Sequence, residues 1–335
     1  MDVSVLIPVL DEERHLPDAV RRMVEQDVTG DVELLFVDGG SQDASRAILA
    51  ELAAGDPRIR VLPNPARRTP HALNIGLREA RGEFVARMDA HTRYPPSYLR
   101  LGVERLRRGD AISVSGPQLA VGDGRWSDRV ALALQTPLGV GGAGFRTRSG
   151  DEEFEVDTGF TGVWRRDVLL RAGGWDEGWL TDQDCELAFR LAADGGRHVC
   201  LPAMAAEYIP RDSVQRLARQ YWQYGLHKVK TFRRHPDAMR PSHLLPPALA
   251  ATVVVAVAAP RPVRRAAGAG LGVYVAALGA TAVGSARTAS PADAAALPLL
   301  LATMHLSYGF GLLAGMRRYG VPAAAVAGAV RRALP

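Results

Sequence analysis

The chain has 335 residues, 47% hydrophobic but only 6% aromatic, and a formal charge of +5. That length allows one large or two modest domains. Its arginines are scattered, with no basic stripe interleaved with aromatics, which argues against a nucleic-acid partner and for a membrane surface.

The chain begins with Met1 and runs straight into Val3-Ser4-Val5-Leu6-Ile7, without a basic n-region or an apolar h-region. No signal peptide is expected, and the N-terminal part is expected to stay in the cytosol. Cys185 and Cys200 make neither a metal-ligand spacing nor a disulfide framework, which fits a reducing compartment. Strand and helix patterns then alternate: strand 3–8, helix 11–26, strand 32–37, helix 43–54, strand 59–62, helix 71–80, strand 82–88, helix 96–108 and strand 111–115. This order predicts an α/β fold, a mostly parallel sheet with helices on both faces.

Residues 138–157 are rich in glycine and charge without periodicity and read as a flexible flap. The GVGGAG within them superficially matches a dinucleotide fingerprint, but it lies mid-chain and leads into charged loop rather than opening a helix. A helix is expected over 165–172. Leu187, Phe189, Leu191 and Ala192 then give a helix an apolar face that ends at Gly195-Gly196. After a short strand, 199–202, residues 212–234 form a basic helix carrying Tyr221, Trp222 and Tyr224.

Beyond Ser242 come three apolar runs, 244–259, 268–286 and 292–316. The first spans only about 24 Å at 1.5 Å per residue, short of the ~30 Å hydrocarbon core. The other two are long enough, and their Gly/Ala content suits close helix packing. Three spans would put Arg261, Arg264, Arg265 and Arg317-Arg318 outside, against the positive-inside tendency. A re-entrant or interfacial first run returns them to the cytosolic side and leaves one spanning hairpin. The expected organisation is a cytosolic domain, 1–240, followed by a membrane-associated helical region, 241–335.

Glu12 follows the first strand, Asp38 the second, and Asp89 and His91 the fourth; Asp182, Asp184 and Glu186 open the helix after the flap. Singly, a carboxylate at a strand end reads as a helix cap or a solvated loop residue, as Asp43 does. Several acids at the carboxyl edge of one parallel sheet instead take the form of a metal–nucleotide site. Asp89 and His91, two residues apart and just ahead of Pro95-Pro96, read as a cation pair.

The stretches SVLIPVLDEERHL, LLFVDGGSQD, NPARRTPHALNIGLREARGEFVARMDAHTRYPPSYL, EVDTGFTGVWRRDVLLRAGGWDE, DQDCELAFRLAADGG and ARQYWQYG carry a family likeness over roughly residues 2–235. The chain resembles the family 2 inverting glycosyltransferases of GT-A fold, and among them the succinoglycan-type exopolysaccharide enzymes. That resemblance implies that Pro8, Glu12, Asp38, Arg68, Asn74 and Asp89 bind a UDP-sugar. Asp89 and His91 would take the place of the Asp-x-Asp motif and hold Mn²⁺ or Mg²⁺ against the donor diphosphate. Imidazole tilts this preference toward Mn²⁺. Asp184 would be the catalytic base, with Asp182 as its rival; Trp164, Glu186, Gln220 and Trp222 would lie on the donor and acceptor side. Two departures stand out: Gly39 replaces a usual second Asp, and Gln183 replaces the Glu that usually precedes the base.

The resemblance further implies a UDP-glucose or UDP-galactose donor and a polyprenyl-linked or saccharide acceptor. It implies an enzyme at the inner (plasma) membrane whose catalytic domain is cytoplasmic. A Gln-x-x-Arg-Trp element of processive members is not found, which favours single addition. Two rivals stay open: a nucleotidyltransferase, for which IPVLDEERHL lacks a Gly- and Lys-rich phosphate loop, and a non-catalytic membrane protein that binds a nucleotide-sugar.

Overall fold

The computed structural model describes residues 1–140, 152–159 and 161–334, so most of the expected flap, 141–151, lies outside the described residues. The chain forms two compact units, residues 1–119 with 144–208 and residues 120–143 with 209–335.

The first unit opens with β1 (Val3–Val9), α1 (Leu16–Val24), β2 (Val32–Asp38), α2 (Ser45–Gly55), β3 (Ile59–Pro63), α3 (Thr69–Glu79) and β4 (Phe84–Arg87). Next come β5 (Thr92–Arg93), α4 (Tyr98–Arg107), β6 (Ser113–Ser115) and β7 (Gln118–Ala120). β1 lies between β2 and β4, parallel to both, with Val5 opposite Leu34 and Ala86. It is covered on both faces, so Val3, Val5, Leu6 and Ile7 are all inaccessible and the strand reads as an unbroken apolar run. Its odd-numbered residues pack with Leu16, Leu49 and Leu99 from α1, α2 and α4. Leu6 faces the other way, onto Leu73, Leu77 and Trp175.

Between the units' boundaries the chain forms α5 (Arg125–Gln135) and α6 (Pro137–Val140), then β8 (Phe154–Glu155), β9 (Gly162–Arg165), α7 (Arg166–Arg171), α8 (Gln183–Ala193), β10 (His198–Cys200) and β11 (Ala206–Tyr208). The main sheet has the order β3-β2-β1-β4-β9-β6-β10-β8. β9 runs antiparallel between β4 and β6, so the sheet is mixed: β3, β2, β1 and β4 pair in parallel on one side of it, β6 and β10 in parallel on the other, with β8 antiparallel at the edge. A small second sheet, β5-β11-β7, uses strands of two or three residues, too short to show a period in the sequence.

The second unit adds α9 (Val214–Arg234), α10 (Leu245–Ala258), α11 (Arg261–Ser285), α12 (Pro291–Tyr319) and α13 (Ala323–Ala333) to α5 and α6. Among the described residues three helices are long and apolar enough to cross a membrane: Pro241–Ala258, Arg261–Ser285 and Pro291–Tyr319. The first expected run is longer than its apolar stretch alone, because a 3₁₀ turn, Pro241–Leu244, leads directly into α10. Glycines set the packing of α9 on α12. A Cβ added to Gly225 would lie 2.2 Å from the Tyr308 carbonyl oxygen, and one on Gly311 would lie 2.4 Å from that of Trp222. Backbones that close leave room for no side chain. Arg129 of α5 donates from Nε to Asp293 Oδ1 of α12 (2.8 Å), tying the unit's two chain segments together.

Candidate active site

The loops after β1 and β2 are laced to each other by short polar side chains. Asp11 N–H donates to Ser41 Oγ (2.9 Å), Glu12 N–H to Ser45 Oγ (2.8 Å) and Glu13 N–H to Asp43 Oδ2 (3.0 Å). In return Gln42 N–H donates to Asp11 Oδ1 (2.7 Å) and Ala44 N–H to Glu13 Oε2 (2.9 Å). These bonds compete with helix formation. They are why α1 starts at Leu16 and not at residue 11.

Asp38, at the end of β2, is buried and organises its own loop. Its Oδ1 accepts from Ser41 N–H (3.1 Å) and Ser41 Oγ (2.6 Å), and its Oδ2 from Gly40 N–H (3.2 Å). Such a turn around a carboxylate needs the left-handed φ of +74° that Gly40 supplies. Pro8 sits in β1 opposite Val37. Arg68 is exposed at the N-terminus of α3, while its neighbour Arg67, at φ +56°, donates to the Gly40 carbonyl (3.0 Å).

Asn74 is engaged at both ends of its amide. Nδ2 donates to the Trp175 carbonyl (2.8 Å) and to Glu177 Oε1 (3.0 Å), and Oδ1 accepts from Trp175 N–H (2.9 Å). Asn74 thus holds the loop before α8 in place. Gly174, at φ +72°, completes the fit, since a Cβ there would meet Asn74 Oδ1 at 2.4 Å.

The centre of the site is a residue that the sequence reading passed over. Arg87, the last residue of β4, is 3% exposed. It donates from Nε to Asp89 Oδ1 (2.9 Å) and from Nη2 to Asp89 Oδ2 (3.2 Å), while its Nη1 donates to Asp184 Oδ1. One guanidinium therefore bridges two carboxylates that lie on different elements. The available signal was an arginine closing a strand of otherwise apolar residues, Phe84-Val85-Ala86, where a buried cation must be paired. The flanking carboxylates hold Arg87 firmly protonated. Asp89 N–H donates to Tyr94 Oη (2.9 Å), and burial raises the Tyr94 pKa so that the phenol keeps its proton.

His91 is turned to a different partner from Asp89: its Nδ1 lies 3.0 Å from Glu12 Oε1. Asp184 stands in the first turn of α8, and Asp182 occupies the N-cap position of that helix without a side-chain capping bond, at φ +68°, an unusual backbone region for a non-glycine residue. Burial pushes the Asp184 carboxyl up to about 6; Arg87 opposes this, and the nearby charges of Asp89 and Asp182 add to it. Asp184 also lines a cavity of about 10 Å³, room for about one water, with Ser113, Trp164, Trp175 and His198. Trp164 and Trp175 meet there edge to face, 5.9 Å between centroids.

Glu186 is fully buried and accepts from Arg190 Nε (3.1 Å) and Nη2 (2.8 Å); Arg190 also donates to the Ala172 and Gly174 carbonyls. The pair fastens α8 to the turn before Trp175. Gln220 and Trp222 belong to the second unit, on α9, where Gln220 Nε2 donates to Tyr224 Oη (2.9 Å) and Trp222 is exposed.

Among the described residues no group of three or more His, Cys, Asp and Glu side chains gathers as a metal site. The donor types nevertheless fit a cation. Asp89 supplies hard oxygens, and a carboxylate on His91 Nδ1 is the usual partner of an imidazole that ligates through Nε2. Two protein donors leave most of a coordination shell to be filled, which oxygens of a diphosphate would do.

The model of "Glycosyl transferase family 2" matches residues 4–170. The succinoglycan biosynthesis protein ExoA of Rhizobium meliloti is 31% identical over 73% of this chain and 74% of its own. A dolichyl N-acetyl-α-D-glucosaminyl phosphate 3-β-D-2,3-diacetamido-2,3-dideoxy-β-D-glucuronosyltransferase of Methanococcus voltae is 24% identical over 69% of this chain and 74% of its own. Among solved structures, the mannosyltransferase PcManGT of Pyrobaculum calidifontis, in complex with GDP-Man and Mn²⁺, aligns with a TM-score of 0.58 at 24% identity. That alignment covers 91% of this chain and 86% of the other. TarS of S. aureus, in complex with UDP, aligns with a TM-score of 0.51 at 15% identity, covering 96% and 92%. These likenesses show the GT-A fold.

Proposed function

Starting from the membership of glycosyl transferase family 2 that the relatives establish for this chain, we propose that it is an inverting, metal-dependent enzyme of cell-surface polysaccharide assembly. It moves one sugar from a nucleotide-diphosphate donor, UDP-glucose or UDP-galactose, to a lipid-linked or saccharide acceptor. The observation that carries this reading is the pair Asp89 and Asp184, brought together from β4 and α8 by the buried Arg87. A nucleotide-binding acid and an acid of raised proton affinity at one sheet edge are what single displacement requires.

In this reading Pro8, Glu12, Asp38 and Arg68 line the nucleotide side, with Asp38 also shaping the loop that receives the base and ribose. Asp89 and His91 would hold Mn²⁺ or Mg²⁺, which when bound neutralises the charge growing on the departing diphosphate. Asp184 takes the acceptor hydroxyl proton as the acceptor oxygen bonds to the anomeric carbon and the bond to the phosphate oxygen breaks. Burial suits it to that role, because a carboxylate of raised pKa is the better base near neutrality. Asp182 stays the rival base. Asn74, Glu186 and Trp164 act by holding the loop and the helix that carry Asp184. Gln220 and Trp222 serve the acceptor, on a helix whose Trp and Tyr suit a membrane interface.

The C-terminal helices support a membrane location, and in this reading the first unit lies on the cytoplasmic side. Tethering there would confine enzyme and polyprenyl-linked acceptor to one surface and raise their effective concentration. Two relatives are named for polyprenyl carriers, a dolichyl N-acetyl-α-D-glucosaminyl phosphate and undecaprenyl phosphate, and this supports such a carrier. The test is a panel of nucleotide-sugars with the full chain in detergent, read by release of nucleoside diphosphate and by the anomer of the product. Transfer with inversion is expected. Binding of UDP and Mn²⁺ without turnover of any donor would favour the non-catalytic reading.

A further inference from the structure

Arg87 bears on how a cation could enter this site. Both oxygens of Asp89 carry a hydrogen bond from its guanidinium, and its remaining Nη1 is spent on Asp184. The side chain is 4% exposed, so it cannot swing into water and must keep a carboxylate partner. A divalent ion on Asp89 would therefore meet a fixed positive charge already seated on the same carboxylate. Two cations that close repel, and in a site shielded from water the repulsion is weakly screened.

We propose that Arg87 is a built-in stand-in for the divalent cation, a positioning residue that keeps Asp89 and Asp184 together while no cation is bound. It yields Asp89 when a cation arrives with the donor diphosphate and then serves Asp184 alone. The proposal rests on the reading of Asp89 as a cation ligand. Its consequence is that the ion alone binds poorly, because the protein supplies two donors and a competing charge; ion and diphosphate bind together. Arg87 also acts as a spacer, since without it two buried carboxylates would face each other unpaired.

The sign of the effect separates this role from a merely structural one. Removing a residue that only supports the fold weakens Mn²⁺ binding or leaves it unchanged. Removing a competitor strengthens it. The experiment compares the full chain with Arg87→Gln, Arg87→Lys and Asp89→Asn, all in detergent at pH 8 and without donor. It uses Mn²⁺ as the probe and reads affinity by calorimetry and the unfolding midpoint with and without the ion.

In R87Q, Mn²⁺ alone is expected to bind about tenfold or more tightly than in the wild type, as the loss of one neighbouring positive charge implies. The ion should also raise the midpoint of R87Q far more than that of the wild type, since it replaces the missing guanidinium. R87K, which keeps the charge but loses the fork, should bind Mn²⁺ as the wild type does; it also preserves the test if R87Q does not fold, because its donor turnover should fall at unchanged donor KM. Mn²⁺ binding that depends on Asp89 yet is unchanged or weaker in R87Q would overturn the competition. Binding indifferent to Asp89→Asn would overturn the cation assignment itself, and this proposal with it.

Discussion

The second unit, residues 120–143 with 209–335, carries 18 Lys and Arg against five Asp and Glu, whereas residues 1–119 with 144–208 carry 23 against 31. The difference in charge goes with a difference in how each unit uses its interior. The first buries ions and satisfies them: Arg87 with Asp89 and Asp184, Glu186 with Arg190, and Glu33 with Ser4, Arg60 and the Arg81 N–H. The second pairs the buried Arg129 with Asp293 as well, but it joins α9 to α12 by bringing backbones together at Gly225, Gly311 and Gly315. A buried ion fixes chemistry at a point, at the cost of desolvation. A glycine contact fixes only the spacing of the two helices.

The most severe way to break the first unit's device is to remove the proposed base. Asp184→Asn is expected to lower kcat by about 10³-fold or more, within the range for loss of general-base catalysis, while donor KM changes little. Steady-state kinetics on the best donor check this; near-normal turnover would move the role to Asp182. Acidification is a milder form of the same change. Because the Asp184 carboxyl sits at about 6, its basic form is lost as pH falls through that value. kcat/KM should then drop about tenfold for each pH unit below it. Asp182→Asn removes a neighbouring negative charge and should shift this acid limb to lower pH.

The second unit breaks sterically. Gly311→Val places side-chain atoms where the Trp222 carbonyl lies and is expected to cost about 1–3 kcal/mol, read as a lower unfolding midpoint in detergent. Gly268→Val on α11, where nothing lies within 4 Å of the added Cβ, should be nearly neutral. Equal losses at both positions would mean that helix propensity, not backbone approach, governs this unit. A loss somewhat smaller than that of Gly311→Val is expected in the first unit. Asn74→Ala leaves the buried Trp175 N–H unpaired and should cost about 1–2 kcal/mol of stability. It should lower turnover less than Asp184→Asn does.

The sequence made the N-terminal alternation legible because its strands are covered on both faces and its helices are amphipathic. β1 through β4 and α2 through α4 fall within two residues of expectation, whereas α1 starts five residues later than expected. The candidate acids were legible as well, since carboxylates after strand ends stand out against apolar runs. Other features were not. β5, β7 and β11 are too short to carry a period, and β9 has the same local pattern whether it runs parallel or antiparallel. α5 lies between the strand expected at 111–115 and the expected flap, in a stretch for which no element was expected. Arg87 carries no spacing motif of its own; only the arrival of α8 beside β4, from 97 residues away, makes it a bridge. Asn74 and Glu186 look like pocket residues in sequence; the bonds of Asn74 to Trp175, and of Glu186 to the Arg190 that grips the Ala172 and Gly174 carbonyls, become visible only once the chain is folded.

The most direct test of a cation–diphosphate site with a separate base is calorimetry of UDP in the presence of Mn²⁺, run side by side on the wild type, Asp89→Ala and Asp184→Asn. Mn²⁺-dependent UDP binding is expected to survive in Asp184→Asn and to be lost in Asp89→Ala. Undiminished Mn²⁺-dependent binding in Asp89→Ala, or its loss in Asp184→Asn, would contradict that division of labour.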